Sequence, residues 1–245
     1  MLVKIGCCGY PVSRPKYFET FRVVEIQSTF YSLPKISTVR RWREEAPVGF
    51  EYIVKGFQGV THPSTSPTWR RFRGELPGNR ENYGLLKNTE EVRWSWSKTI
   101  EICRELGSDK VLIQLPPKCE VTNEALDVLK EFAIKGVIIL FEPRHPSWFQ
   151  EDVLNFIRQN SIILCVDPFK NSPVKTGNIH YWRLHGRDGY RYGYKYTDED
   201  LDELVNLINM HGDVDTVYVM FNNKFMFEDA LRLRELLREN GFEAI

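Results

Sequence analysis

The most chemically informative stretch of the sequence runs from Ile138 to Trp148, where a short apolar run ends abruptly in polar residues. The apolar residues 138–141 are typical of a strand buried on both faces of a parallel sheet. Glu142, Arg144 and His145 follow directly. A carboxylate beside an imidazole can exchange protons near neutral pH, and a guanidinium binds phosphate or carboxylate groups. The stretch therefore predicts an acid–base site at the end of a strand.

The same pattern, an apolar run that ends in an ionisable or amide side chain, recurs along the chain. The further examples are Glu25, Lys55 with His62 beyond it, Gln114, Asp167, Arg183 with His185, and Asn222 with Asn223. In a parallel α/β barrel the catalytic groups lie on the loops that follow the strands. We therefore predict two sets of site residues. The catalytic set is Glu142, His185, Asp167 and His145. The substrate-binding set is Lys55, Arg144, Arg183, Gln114, Glu25 and Asn222.

The elements that would position these residues alternate between strand and helix. Strand-like runs begin near Val3, Val23, Glu51, Val111, Val137, Ile162, Ile179 and Val217. Between most of them apolar residues recur at helical spacing, as at Ile36, Val39 and Trp42. Eight strands alternating with helices predict a single (β/α)8 barrel domain of the TIM type over residues 1–245. A doubly wound open sheet is the alternative, but no glycine-rich phosphate loop follows the first strand.

One segment, Phe57 to Trp96, does not fit this alternation, and we treat it as an insertion after the third strand. It is rich in tryptophan and arginine, with Trp69, Trp94, Trp96, Arg70, Arg71, Arg73, Arg80 and Arg93. A connection of this length is usually functional or partly disordered. We expect it to cover the carboxyl-terminal mouth of the barrel as a lid. The alternative is a surface that packs on itself or contacts another protein.

The composition indicates the class of protein. With 42% hydrophobic and 27% charged residues the chain resembles an ordinary soluble domain. Its 33 basic and 33 acidic residues give no net charge, which does not favour nucleic acid or an anionic membrane as a partner. No signal peptide is predicted, and no apolar run approaches the ~20 residues that span a bilayer. The five cysteines are odd in number and lack CxxC spacing, which favours reduced thiols. We expect a cytoplasmic protein with no membrane partner.

Several longer motifs, taken in order, resemble one known family. They are residues 24–31, 114–117, 141–148, 183–186 and 219–223, with the region of Lys55 and Thr61-His62 also recognisable. Together they are similar to the YecE-like family, catalogued as domain of unknown function 72. The resemblance implies a TIM-type barrel and no established activity. It places eight residues at the family's motif positions, namely Glu25, Gln114, Glu142, Arg144, His145, Arg183, His185 and Asn222. The chain departs from the family in its insertion and in Cys7-Cys8.

The polar strand ends also have a structural interpretation. Glu25 with Lys55, or Asp167 with Arg183, would form ion pairs that close the mouth of the barrel, and Gln114 would cap backbone groups. Buried charges need either such partners or a ligand. Because polarity occurs at seven of eight strand ends, we favour a ligand site over scaffolding alone.

Our first hypothesis is a cofactor-free acid–base enzyme. Glu142 and His185, supported by Arg144, Arg183 and Lys55, would converge on one pocket and bind a small anionic ligand there, such as a sugar phosphate. Hydrolysis, lyase chemistry and isomerisation all stay open, as does the oligomeric state.

Two other functions remain as alternatives. In the first, Glu142, Asp167 and His185 hold a divalent metal, as in sugar isomerases or apurinic endonucleases. Asn222, in place of a further carboxylate, and the nearby arginines weigh against this. In the second, the chain is a non-catalytic module that binds nucleic acid or protein through the arginines and tryptophans of the insertion. That function would leave the polar strand ends unexplained.

Overall fold

A computed structural model of the chain describes residues 1–187 and 192–245. Its strands are β1 Leu2–Cys8, β2 Val23–Ile26, β3 Glu51–Lys55, β4 Lys110–Gln114, β5 Ile138–Glu142, β6 Ile163–Val166, β7 Ile179–Leu184, β8 Thr216–Phe221 and β9 Glu243–Ala244. Its α-helices are α1 Arg14–Thr20, α2 Ser28–Tyr31, α3 Ile36–Glu45, α4 Glu90–Leu106, α5 Asn123–Phe132, α6 Glu151–Gln159, α7 Asp198–Met210 and α8 Met226–Glu239. Three short 3-10 helices cover Pro67–Arg71, Arg80–Asn82 and Pro146–Phe149.

The strands form a parallel sheet in the order β2-β3-β4-β5-β6-β7-β8-β1-β9, and β1 also pairs with β2. That last pairing closes the sheet, so the predicted (β/α)8 barrel is confirmed. The first eight strands begin within one residue of their predicted positions. The short β9, which pairs with β1, was not predicted. In the described residues no helix is both long enough and apolar enough to cross a bilayer.

The chain divides into two compact units. The first comprises Met1–Glu25, Pro47–Glu51 and Ile163–Ile245, and the second comprises Ile26–Ala46 and Tyr52–Ile162. The single-domain organisation and the lid role of the insertion stay predictions.

In the first unit, the residues of β7 alternate between two buried environments. Period two places Tyr181 and Arg183 on one face of the strand and His180 and Trp182 on the other. His180 and Trp182 pack against the ring of His211 at the end of α7, with ring centroids 5.6 and 6.1 Å apart. Tyr181 and Arg183 instead contact a carboxylate of β2. This alternation directs Tyr181 and Arg183, but not His180, toward Glu25 in the candidate site.

In the second unit, the insertion is an ordered structure built on aromatic side chains. Phe57, Trp69, Phe72, Tyr83 and Trp94 contact one another with ring centroids 5.5–6.4 Å apart. We call these five residues the aromatic cluster. The last seven residues of the predicted insertion, 90–96, form the beginning of α4. Phe57, Phe72 and Tyr83 are buried and the two tryptophans are half-buried, so the cluster supplies the apolar contact area that a long connection needs to order itself.

Candidate functional site

The first unit contains a fully buried ion pair between Glu25, in β2, and Arg183, in β7. Arg183 donates from Nε to Glu25 Oε2 at 3.0 Å and from Nη2 to Oε1 at 2.8 Å. Both side chains are 0% exposed. Two parallel N–H···O bonds are the geometry in which a guanidinium binds a carboxylate most strongly. Since neither side chain reaches solvent, this pair is suited to orienting its neighbours, and its predicted contact with a ligand stays a prediction.

Tyr181 and Cys8 lie against this ion pair. The Tyr181 hydroxyl donates to Glu25 Oε2 at 2.5 Å, and Arg183 Nη2 lies 3.7 Å from the Cys8 Sγ. Burial and, next, the charge of Glu25 raise the pKa of the Tyr181 phenol well above its ordinary value. Tyr181 therefore stays protonated and acts as a hydrogen-bond donor to the carboxylate.

His185 lies between the ion pair and a second carboxylate, Asp167. Its Nε2 is 3.4 Å from Arg183 Nη1, and its Nδ1 is 3.4 Å from Asp167 Oδ2. Because a guanidinium only donates, the His185 Nε2 accepts and the Nδ1 carries the proton that points to Asp167. The backbone N–H of His185 also donates to Asp167 Oδ2 at 3.0 Å. Asp167 and Arg183 thus hold the ring in one tautomer and one orientation.

Asp167 is itself held by the loop that follows β6. The backbone N–H of Phe169 donates to its Oδ1 at 3.2 Å, and Lys170 Nζ lies 3.3 Å from its Oδ2. The first unit therefore brings together four predicted site residues in one continuous chain of contacts, Asp167–His185–Arg183–Glu25.

In the second unit, the end of β5 carries an ion pair of a different kind. Arg144 approaches a single oxygen of Glu142, with Nη2 at 3.0 Å and Nε at 3.3 Å from Oε1. Glu142 is buried, whereas the Arg144 side chain is 17% exposed. Arg144 is therefore accessible enough to bind a ligand, which Arg183 is not.

Lys55, at the end of β3, is a buried cation in the second unit. Its Nζ donates to Gln27 Oε1 at 3.2 Å and lies 4.5 Å from the centroid of the Phe30 ring. An amide oxygen and an aromatic face both stabilise an ammonium group.

His62 lies close enough to these charges to sense them. The ring is 6% exposed, its Nδ1 is 2.8 Å from Thr61 Oγ1, and its edge meets the Phe30 ring at 4.9 Å between centroids. Burial first, then the charges of Lys55 and Arg144, lower the pKa of His62 to about 4, whereas the smaller effect of the Glu142 charge raises it. At neutral pH this imidazole is uncharged and lies in a positive local potential.

The other predicted residues have more local contacts. His145 caps the 3-10 helix Pro146–Phe149, with its Nδ1 accepting from the Ser147 backbone N–H at 3.3 Å. Gln114 stands opposite Glu142 in the β4–β5 register. The backbone N–H of Asn222 donates to Leu184 O at 2.9 Å. The roles predicted for these residues stay predictions, as does the convergence of Glu142 and His185 on one pocket.

His62 was noted beyond Lys55 among the polar strand ends, but the two predicted sets of site residues include neither it nor Gln27 nor Tyr181. His62 lies in a Thr-His-Pro loop, and nothing in those neighbouring residues predicts its burial. Gln27 directly follows β2, so the rule that selected Gln114 would also have selected Gln27. Tyr181 shares the face of Arg183 by strand parity, but only the fold shows that its hydroxyl meets Glu25.

Within residues 1–187 and 192–245, no three His, Cys, Asp or Glu side chains are grouped closely enough to hold a metal ion. The prediction of a cofactor-free site and the divalent-metal alternative both stay untested.

Comparison with known proteins identifies the family. A family model described as "Protein of unknown function DUF72" matches residues 13–244. The UPF0759 protein YunF of Bacillus subtilis is 26% identical over 240 residues, which cover 84% of this chain and 79% of YunF.

Solved structures agree on the fold. A DUF72 family protein from Enterococcus faecalis superposes with a TM-score of 0.74 at 23% identity, covering 97% of this chain and 98% of that one. A 3-keto-D-glucoside 4-epimerase from Escherichia coli, YcjR, has the same barrel fold at a TM-score of 0.59 and 12% identity, covering 97% and 99% of the two chains. The resemblance found in the sequence motifs is thus confirmed, and the chain belongs to the DUF72 family.

Proposed function

We propose that this protein is an enzyme that binds a small anionic substrate, of the sugar-phosphate kind, and transfers a proton with imidazole and carboxylate groups. The observation that carries the proposal is the environment of His62, a buried neutral imidazole beside the cations Lys55 and Arg144.

The positive potential at His62 is the argument for an anionic substrate. A phosphate or carboxylate between Lys55 and Arg144 would offset the two charges that lower the pKa of His62. Arg144 suits this role because its guanidinium is partly exposed. The proposal includes no cofactor. The divalent-metal alternative would be supported if Mg²⁺ or Mn²⁺, and not phosphate, changed the His62 titration described below.

The same potential links substrate binding to acid–base chemistry. Once an anion is bound, the pKa of His62 would rise toward neutrality, the range in which a general base is most effective. Glu142 is the candidate partner carboxylate in this unit. In the first unit, Asp167 and His185 form a second carboxylate–imidazole pair, with the ring fixed in one tautomer. We retain His185, Asp167, Glu142 and His145 as candidate catalytic residues on this basis.

Sugars are the first substrates to test, because the chain shares its barrel fold with an enzyme named as a 3-keto-D-glucoside 4-epimerase. Proton transfer next to a carbonyl would exchange a substrate C–H hydrogen with solvent. Incubating sugar phosphates with the protein in D₂O should therefore incorporate deuterium, observed by proton NMR. The wild-type protein should catalyse this exchange. Glu142→Gln should lower the exchange rate at least tenfold, because the substitution removes a general acid–base group. No exchange with any sugar or sugar phosphate would contradict the assignment to this substrate class.

Anion binding is tested by following the C–H signals of His62 in NMR pH titrations. Without phosphate the signal should titrate near pH 4, and saturating inorganic phosphate should shift the midpoint upward. Lys55→Met should weaken the phosphate effect. Arg41→Met is the matched control, because Arg41 is an exposed cation bonded to Glu45 on α3. A His62 titration that phosphate leaves unchanged would contradict the proposal.

We also propose the cytoplasm as the location of the protein, because all five cysteines are buried free thiols, as a reducing compartment favours. Immunodetection in fractionated cells would test this, and recovery outside the cytoplasmic fraction would contradict it.

A further inference from the structure

Residues 58–62, the first part of the insertion and here called the His62 loop, are held by hydrogen bonds from residues 69–86, here called the brace segment. Each of the last four backbone carbonyls of the loop accepts from it. Gly84 N–H donates to Gly59 O at 2.8 Å, Leu86 N–H to Val60 O at 3.1 Å and Leu85 N–H to Thr61 O at 3.0 Å. The fourth donor is the Trp69 indole N–H, which bonds His62 O at 3.1 Å. Most backbone carbonyls of a loop of this kind would otherwise bond to water.

The three backbone donors come from a strained turn. Gly84, Leu85 and Leu86 all have positive φ, at 85°, 57° and 53°. Left-handed backbone costs a residue with a Cβ roughly 1–2 kcal/mol, and two leucines in succession adopt it here. Such strain persists only where the surrounding contacts determine the conformation. In this turn the left-handed geometry aims three successive N–H groups at the His62 loop.

The fourth donor is held equally firmly. The Trp69 ring packs edge-to-face on Phe57, Phe72 and Tyr83, with centroids 5.7–5.8 Å away. An indole fixed on three sides directs its single N–H along one line.

Helix α4 also bonds to the middle of the insertion, through Glu91. The Glu91 carboxylate accepts from the Asn79 backbone N–H at 2.8 Å and from Asn82 Nδ2 at 3.0 Å. These two bonds lower the pKa of Glu91, which stays ionised at neutral pH. Residues 69–86 are therefore bonded to helix α4 as well as to the His62 loop.

We propose that residues 69–86 are a rigid brace for the His62 loop, and that Trp69 is a positioning residue of the candidate site. The brace fixes the backbone on which the imidazole is mounted, and so holds the ring beside Lys55 and Phe30. The contacts that hold the His62 loop come from the aromatic cluster and the strained turn, and not from the arginines of the insertion. The expected effect on anion binding rests on the proposed function. The position of His62 can be measured without any ligand.

The test replaces the indole donor and keeps the ring. Trp69→Phe removes the bond to His62 O while leaving an aromatic ring among Phe57, Phe72 and Tyr83. In the full-length protein without phosphate, the His62 midpoint should rise from about 4 toward 6.5, as the ring gains solvent and moves from the cations. We expect a rise of about one pH unit, a shift of the size that neighbouring groups usually produce. Trp94→Phe is the matched control, because Trp94 packs on Phe57 and Tyr83 in the same cluster.

The titrations of Trp69→Phe and Trp94→Phe test the positioning role of Trp69, and the phosphate titration of the wild type tests the proposed function. If Trp69→Phe moves the His62 midpoint and Trp94→Phe does not, the brace stands whether or not phosphate binds. If both variants leave the midpoint at the wild-type value, or both shift it equally, Trp69 has no positioning role. A failure of phosphate to affect wild-type His62 contradicts only the proposed function.

A second pair of variants keeps the proposal falsifiable if Trp69→Phe does not fold. Leu85→Gly accepts positive φ without strain and retains the N–H bond to Thr61 O, so His62 should titrate as in the wild type. Leu85→Val places a β-branched residue where φ is positive, which should displace the turn and raise the His62 midpoint. Equal titrations in these two variants would overturn the brace.

Discussion

At the scale of single residues, the buried imidazoles control how the protein responds to acid. His62 and His180 are 6% and 2% exposed, and burial is the first cause that lowers the pKa of each to about 4. The charges of Lys55 and Arg144 lower it further for His62, and that of His211 for His180. Both histidines therefore take up a proton more readily in the unfolded chain, where their pKa is near 6.5.

Because the folded pKa lies below the unfolded one, the free energy of unfolding is unaffected above pH 6.5 and decreases as the pH falls from 6.5 to 4. At pH 5 each histidine should account for a loss of about 2 kcal/mol, at about 1.4 kcal/mol per unit of pKa. His62→Gln should remove its share of the loss, measured by urea unfolding at pH 7.5 and pH 5. An unchanged difference between the two pH values would show that His62 is not buried beside cations.

The Glu25–Arg183 pair provides a second residue-scale prediction. Glu25→Gln leaves the Arg183 charge buried without its carboxylate, which should lower the free energy of unfolding by ~3–5 kcal/mol. The double variant Glu25→Gln with Arg183→Met removes both charges and should recover a large part of that loss. Urea unfolding of the two single variants and the double variant measures the coupling. Additive losses would mean that the two side chains do not stabilise each other in the fold.

At the scale of elements, the strained turn 84–86 is the part of the insertion that tolerates least change. A Cβ at Gly84 would lie 2.3 Å from the carbonyl carbon of His62 and 2.4 Å from its oxygen, in backbone that cannot move aside. Gly107, the residue that ends α4, also has positive φ, at 63°, but a Cβ there meets nothing within 4 Å. Substitutions at these two glycines therefore separate the cost of a steric clash with His62 from the cost of positive φ.

Gly107→Ala should reduce the free energy of unfolding by about 1 kcal/mol, the penalty for left-handed backbone alone. Gly84→Ala should cost clearly more, because it adds a steric clash with the His62 loop. Thermal and urea unfolding of both variants give the comparison. Equal losses would show that the turn and the His62 loop are not in close contact.

At the scale of the whole molecule, the barrel was predictable because its signals are local. Each strand is a short apolar run, each helix an amphipathic repeat, and eight such units suit few folds. The observed strands begin within one residue of the predicted ones. The two-residue β9 escaped prediction, because a pairing so short leaves no periodic pattern in the sequence.

Partner choice among the polar residues was less predictable than their positions. Sequence reasoning considered Glu25 with Lys55 and Asp167 with Arg183, whereas the structure pairs Glu25 with Arg183 across 158 residues. Strand parity predicted the face of the strand on which Arg183 lies, but it did not predict which carboxylate Arg183 would pair with. That depends on which strands neighbour one another and on how far a side chain extends.

The fold class, the family and the strand ends that carry polar residues were predictable, because periodicity and motif order are properties of contiguous residues. The burial of His62 could not be predicted in this way, because its ring packs on Phe30 and its loop is bonded by Trp69 and the turn 84–86, residues that are distant in sequence. Its protonation depends first on that burial and then on the charges of Lys55 and Arg144, and no local sequence pattern encodes either.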